Sequence, residues 1–192
     1  MVRSTNRRGE GGRLRADLLD AATAIVAEGG AGLSLRAVAA RAGVATTSVY
    51  LHFADLQAIR SALGERGFIE FGEACRAAGD RAPDPLARVI ATSQAHVRWA
   101  MENPGLYRMM FSPELGFLAT DAVGPSRTIF DSLVASVARV GRDDDPQWTA
   151  TLLWSALHGQ AKLRVDRPRF PWPPADEMVA DLVRRLVVAP TG

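Results

Sequence analysis

From Ser34 to Phe53 the sequence SLRAVAARAGVATTSVYLHF leaves the backbone few choices. Ser34 is an N-cap residue type, Leu35, Val38, Ala39 and Ala42 recur at helical spacing, and Gly43 supplies the positive φ that stops a helix. Val44, Val49 and Phe53 resume the apolar pattern beyond it, with Thr46, Thr47, Ser48 and His52 on the other side. The spacing predicts a short helix, a tight turn at Gly43 and a third helix of about seven residues, about 10 Å long at 1.5 Å per residue. Two short helices so joined make a helix-turn-helix. The same pattern also suits a capped helix pair inside an all-α core, and spacing alone leaves both readings open.

The rest of the chain repeats the helical period and shows no strand alternation. Leu14, Leu18, Ala21, Ala22, Ile25 and Val26 form one face of a first helix that Gly29 and Gly30 end. Asp55 stands at N-cap spacing before a fourth helix. GDRAPDP, residues 79–85, then breaks the pattern, and Pro85 opens a helix with Leu86, Val89, Ile90, Val97, Ala100 and Met101 in one stripe. A turn and an aromatic segment around Tyr107 follow, then a helix with Ile129, Phe130, Leu133, Val137 and Val140 on one face. Pro146 is an N1 candidate. The helix it opens is apolar on nearly every side (Trp148, Ala150, Leu152, Leu153, Trp154, Ala156, Leu157, Ala161) and must therefore be covered on every side. RPRFPWPPA, residues 167–175, is a stiff connector whose Phe170 and Trp172 plug the surface, and a last helix runs from about Asp176. The fold class is all-α.

A chain of 192 residues, 47% hydrophobic, can bury a sizeable core. No apolar run approaches the roughly 18 residues a membrane span needs, and MVRSTNRRGEGG lacks a signal-peptide core, so a cytoplasmic protein without membrane contact is expected. The one cysteine, Cys75, lacks the Cys/His company of a zinc site, and neither metal nor cofactor is expected. Histidines are few, nucleophile and phosphate-loop motifs are missing, and carboxylates are scattered, which argues against an enzyme. The net charge of +2 is unevenly placed: residues 1–60 hold eight arginines against five acids. Five of those arginines lie in the first fifteen residues, which reads either as a basic arm able to touch phosphate or as a solubilising terminus. No Asp or Glu falls between Arg41 and Asp55 to repel a phosphate. Short hydroxyls on the third helix suit base edges, thymine methyls or phosphates in a major groove, and Tyr50 and His52 reach toward the backbone.

LSLRAVAARAGVATTSVYLHFADLQAI, residues 33–59, resembles the DNA-binding region of the TetR family of bacterial transcriptional regulators, through Ser34, Ala39, Arg41-Ala42-Gly43-Val44 and Tyr50-Leu51-His52-Phe53. The resemblance implies that Arg36 meets a phosphate or base edge, that Thr46, Thr47 and Ser48 read the groove, and that Tyr50 and His52 clamp phosphates, with Leu51 between them also at the DNA. Leu56 stands where the family commonly has Lys, which removes one phosphate contact. WSALHG, residues 154–159, with ENPGLYRMMF, residues 102–111, is similar to a C-terminal effector domain of such regulators marked by Trp, His and Gly. That similarity implies a small-molecule effector, and the candidate contacts are Trp99, Tyr107, Met110, Phe111, Phe130, Trp154 and His158. Trp154 and His158 share a helix face, either to stack on and hydrogen-bond a ligand or to pack within the core.

The expected organisation is a basic arm (1–12), a helix-turn-helix domain (13–60), a connecting helix and linker (61–84) and an effector and dimerisation domain (85–189). The last two helices pair with their copies in a homodimer. The function expected is a regulator, more a repressor than an activator, on double-stranded DNA with a palindromic operator, released by a small apolar or aromatic ligand. The alternative is a helical adaptor that binds protein and not DNA.

Overall fold

The computed structural model describes residues 10–30, 32–112, 124–141 and 145–188. Every regular element among them is helical, in the order α1 (Glu10–Ala27), α2 (Leu35–Ala42), α3 (Thr46–Tyr50), α4 (Leu56–Gly79), α5 (Pro85–Glu102), α6 (Pro104–Met110), α7 (Pro125–Ala138), α8 (Pro146–Asp166) and α9 (Ala175–Val187). The described residues within 1–67 and 105–115 form one compact unit, and those within 68–104 and 116–192 form a second. The division passes through α4 and assigns most of α6 to the first unit.

In the first unit the local chemistry acts as the sequence predicts. Ser34 Oγ accepts the Ala37 amide at 3.1 Å and starts α2. Gly43, at φ 70°, ends it: its N–H bonds to Ala40 O, and the Val44 N–H bonds to Ala39 O, the paired bonds of a Schellman cap. Asp55 Oδ1 accepts the Ala58 amide at 2.8 Å and caps α4. The third helix is five residues long rather than seven. Past Tyr50 the chain tightens, His52 N–H bonding back to Val49 O over three residues, which carries Phe53 into the core. The first helix begins at Glu10, ahead of Leu14, so Arg13 and Arg15 ride on a helix; residues 1–9 of the expected arm lie outside the described residues. Leu18, Ala22, Val38, Val49, Ile59 and Leu63 are fully buried and join α1 to α4 into this core.

In the second unit α8 packs against α5, α7 and α9, and α5 against α7 and α9 as well. Asp145 accepts the Trp148 amide at 3.0 Å with Pro146 at the first helical position, as the sequence suggests. Leu153, Leu157, Ala161 and Val165 bury one face of α8, with Val89 and Val97 of α5 and Val179 and Val183 of α9 in the same core. Trp148, Leu152 and Leu163 remain exposed on the other face. The connector is held by Arg164, whose Nη2 donates to Pro173 O at 2.9 Å and whose guanidinium lies 5.1 Å from the Trp172 ring centre. Trp172 is half-buried as a plug, while Phe170 meets it at a tilt of 52° and stays exposed.

Candidate nucleic-acid interface and a cavity in the second unit

Polarity decides which side of α3 can meet a ligand. Val49 and Phe53 are buried, and this anchors the helix by its apolar side. Thr47 is exposed, and Thr46, Ser48 and His52 are half-exposed. Tyr50 is 57% exposed and Leu51 77%, two large side chains that the core leaves in solvent side by side. Arg36, on the first turn of α2, is exposed as well. All seven candidate DNA contacts therefore lie on α2, α3 or the residues just after α3, on a surface without a carboxylate between Arg41 and Asp55.

Two arginines near this surface have partners that the sequence does not reveal. Arg41 grips Glu28 with two bonds of 2.6 and 2.7 Å, linking the residue after α1 to the end of α2. The Arg41 hydrogen bond holds the Glu28 carboxyl below its usual range. Arg15 lies over the Phe53 ring, 5.0 Å from its centre. Sequence spacing reports neither pairing, because Glu28 and Arg41, and Arg15 and Phe53, are brought together only by the fold.

The seven candidate effector contacts divide between the units. Tyr107, Met110 and Phe111 belong to the first, where Tyr107 and Met110 are fully buried and the Tyr107 and Phe111 rings sit 4.8 Å apart. Trp99, Phe130, Trp154 and His158 belong to the second. There His158 stacks on Trp154 at 5.9 Å, and Phe130 meets Trp154 edge-on at 6.2 Å. Trp99 packs against Phe71, which also contacts His96. Burial, with a smaller contribution from His158, pushes the His96 imidazole down to about 3. Burial also lowers His158.

A cavity of about 400 Å³ opens in the second unit between α4, α5 and α7. Phe68, Ile69, Ile129 and Leu133 give it apolar walls, and Arg76 and Arg88 are its cations. None of the seven candidate effector contacts lines it. Its volume lies in the range of small-molecule sites. Spacing does not announce it, since its lining comes from three helices and the GDRAPDP break reads only as a linker. No cluster of three metal-ligating side chains occurs among the described residues, and no helix among them is long and apolar enough to cross a membrane.

A capped helix-turn-helix in one unit and a helical second unit, with every described regular element helical, have the build of a DNA-binding regulator. Residues 18–63 match the family model described as bacterial regulatory proteins, tetR family, and residues 89–189 match that described as tetracyclin repressor-like, C-terminal domain. The chain belongs to the TetR family of transcriptional regulators, and its function is DNA-binding regulation of transcription. Among solved structures it is similar to a protein of unknown function from Rhodococcus sp. RHA1, at 26% identity over 93% of this chain and 96% of that one, TM-score 0.79. It shares its fold with the fatty acid degradation regulator FadR from Bacillus halodurans, at 16% identity over 91% and 98% of the chains, TM-score 0.67. It also shares it with AibR in complex with isovaleryl coenzyme A and operator DNA, at 18% identity over 91% and 98%, TM-score 0.63. No curated protein sequence matches it.

Proposed function

We propose that the protein is a cytoplasmic homodimeric repressor that binds an inverted-repeat operator through α3 and leaves it when a small, largely apolar molecule occupies the second unit. The observation that carries the DNA half is the pair Tyr50 and Leu51, the last residue of α3 and its C-cap, left in solvent beside Thr47. An apolar side chain so exposed gains from a thymine methyl, and hydroxyls gain from base edges or phosphates. Arg36 supplies a cation, and Ser48 and His52 complete the surface.

The dimer half rests on α8 and α9. Trp148, Leu152 and Leu163 are exposed on α8, and Leu182 and Leu186 are half-buried on α9. An exposed apolar stripe on a helix whose other side is packed suits a copy of the same pair, closing a four-helix bundle.

Release is a population shift. The helix α4 contributes Ile59 and Leu63 to the first core and Phe68, Ile69, Gly72 and Cys75 to the cavity wall, so a ligand that reshapes that wall favours one α4 position over another. In this reading Phe130, Trp154 and His158 carry the change from α7 to α8, and Trp99 carries it from α4 to α5 through Phe71, while Tyr107, Met110 and Phe111 brace the DNA-binding unit. A gel-shift assay with fragments from the region upstream of its own coding sequence tests the whole. Specific retardation is expected, and absence of any shift above that of random DNA would favour the adaptor reading.

A further inference from the structure

The cavity's polar groups are not equally free to hold a ligand. Along α7, Thr128, Ser132 and Ser136 all line it, and each hydroxyl donates to the carbonyl four residues earlier, at 3.1, 2.8 and 2.8 Å. The Thr92 hydroxyl is turned to Cys75 O at 3.5 Å, and burial pushes the Cys75 thiol up to about 12, leaving it neutral. The strong donors left in the lining are the guanidiniums of Arg76 and Arg88.

Those two arginines share one counter-ion. Asp80 Oδ1 meets Arg88 at 2.9 Å and Asp80 Oδ2 meets Arg76 at 2.9 Å, yet Asp80 does not itself line the cavity. The Arg88 bond, and after it that of Arg76, holds the Asp80 carboxyl below its usual range. The arrangement is anchored: a Cβ on Gly79 would come within 2.7 Å of Thr92 Oγ1 and 3.2 Å of Arg88 Cγ, so the Arg88 stem is seated against the end of α4. A carboxylate thus already bridges two cations at the edge of an apolar cavity, from outside it.

Building on the ligand-responsive reading above, we infer that the cavity takes an aliphatic monocarboxylate, whose head competes with Asp80 for Arg76 and Arg88 while its tail lies on Phe68, Ile69, Ile129 and Leu133. The exposed Glu73, also in the lining, opposes a second negative charge and so disfavours dicarboxylates. Because two solvent-reached guanidiniums give screened contacts, the head group sets selectivity and the tail gives most of the affinity.

Calorimetry on the full chain with octanoate, octanol and octylamine, three heads on one tail, tests this. Octanoate is expected to bind about ten-fold tighter than octanol, with octylamine weakest. Arg88→Gln should erase the advantage of octanoate. Arg76→Gln, at an exposed position where folding is not at risk, should reduce it about three-fold or more, and Asp80→Asn should tighten octanoate about three-fold while leaving octanol alone. Octanol binding as tightly as octanoate, octanoate indifferent to both arginine variants, or no octanoate binding at all would overturn the inference. Operator release, followed in parallel, separates it from the broader reading. Any compound that releases operator equally from Arg88→Gln and unaltered protein keeps ligand regulation while refuting the carboxylate head. Arginine-dependent octanoate binding without release supports the site chemistry and sinks its regulatory use.

Discussion

Gly105 abuts the backbone of Val26 so closely that a methyl group on its Cα would overlap the Val26 carbonyl oxygen and lie 2.9 Å from the carbonyl carbon. A backbone carbonyl near the end of α1 has nowhere to go, because Ala22 and Val26 are buried on the same face. Gly105→Ala is therefore expected to cost about 1–3 kcal/mol, and its effect belongs to the DNA-binding unit although residue 105 follows α5 in sequence. Thermal unfolding should show it as a lowered midpoint. Gly12→Ala, where a Cβ would meet nothing within 4 Å, is the control and should leave the midpoint unchanged or raised.

Replacing both Leu182 and Leu186 by Asp should disrupt the proposed α8–α9 seam. These side chains are half-buried, while Val179, Val183 and Val187 hold α9 to its own core, so the monomer is expected to stay folded and the dimer to be lost. Two buried charges without partners cost several kcal/mol in an apolar seam, on the order of 3 or more. Sedimentation should report a monomer and circular dichroism an unchanged helix content. A dimer that survives the change would move the interface elsewhere.

What the sequence made legible was the chemistry that acts over a few residues. Ser34, Gly43, Asp55 and Pro146 do what their types and positions predict, because a cap is a local bond. Periodicity predicts about seven residues for α3 and five form, since the packing of Phe53 tightens the chain after Tyr50 and a local pattern cannot see that pull. The placement of Tyr107 and Met110 was harder still: their spacing announces burial but not the partner, and Gly105 alone marks the close approach that assigns them to the first unit. Asp80 reads as part of a solvated linker, and its bridge between Arg76 and Arg88 is invisible to spacing because it depends on the end of α4 meeting the start of α5.

The two kinds of DNA contact are expected to respond differently. Thr47→Ala removes a hydroxyl and a methyl from the exposed side of α3, and should relax preference at one operator position by about 1–3 kcal/mol. Tyr50→Phe deletes a single exposed hydroxyl and should weaken specific and random DNA alike, since phosphate carries no sequence information. Fluorescence anisotropy with operator and scrambled duplexes at one salt concentration measures both. Equal losses on the two duplexes for Thr47→Ala would remove it from base readout.

Acid should destabilise the second unit before its carboxylates titrate. His96 is buried against Phe71, and its imidazole is lowered from 6.5 to about 3, by burial first and His158 second. A histidine depressed in the folded state leaves the unfolded chain as the better proton acceptor. Its contribution is thus fully present above pH 6.5 and drains as pH falls toward 3, by up to about 1.4 kcal/mol per unit. His158, lowered by burial and then by Lys162, adds to the upper part of the same window. Denaturant unfolding at pH 7.0, 6.0 and 5.0 should show stability falling at each step. His96→Phe substitutes another ring against Phe71 without a titrating group, and should flatten the slope whatever it does to the absolute stability. An identical slope in that variant would place the proton uptake on another group.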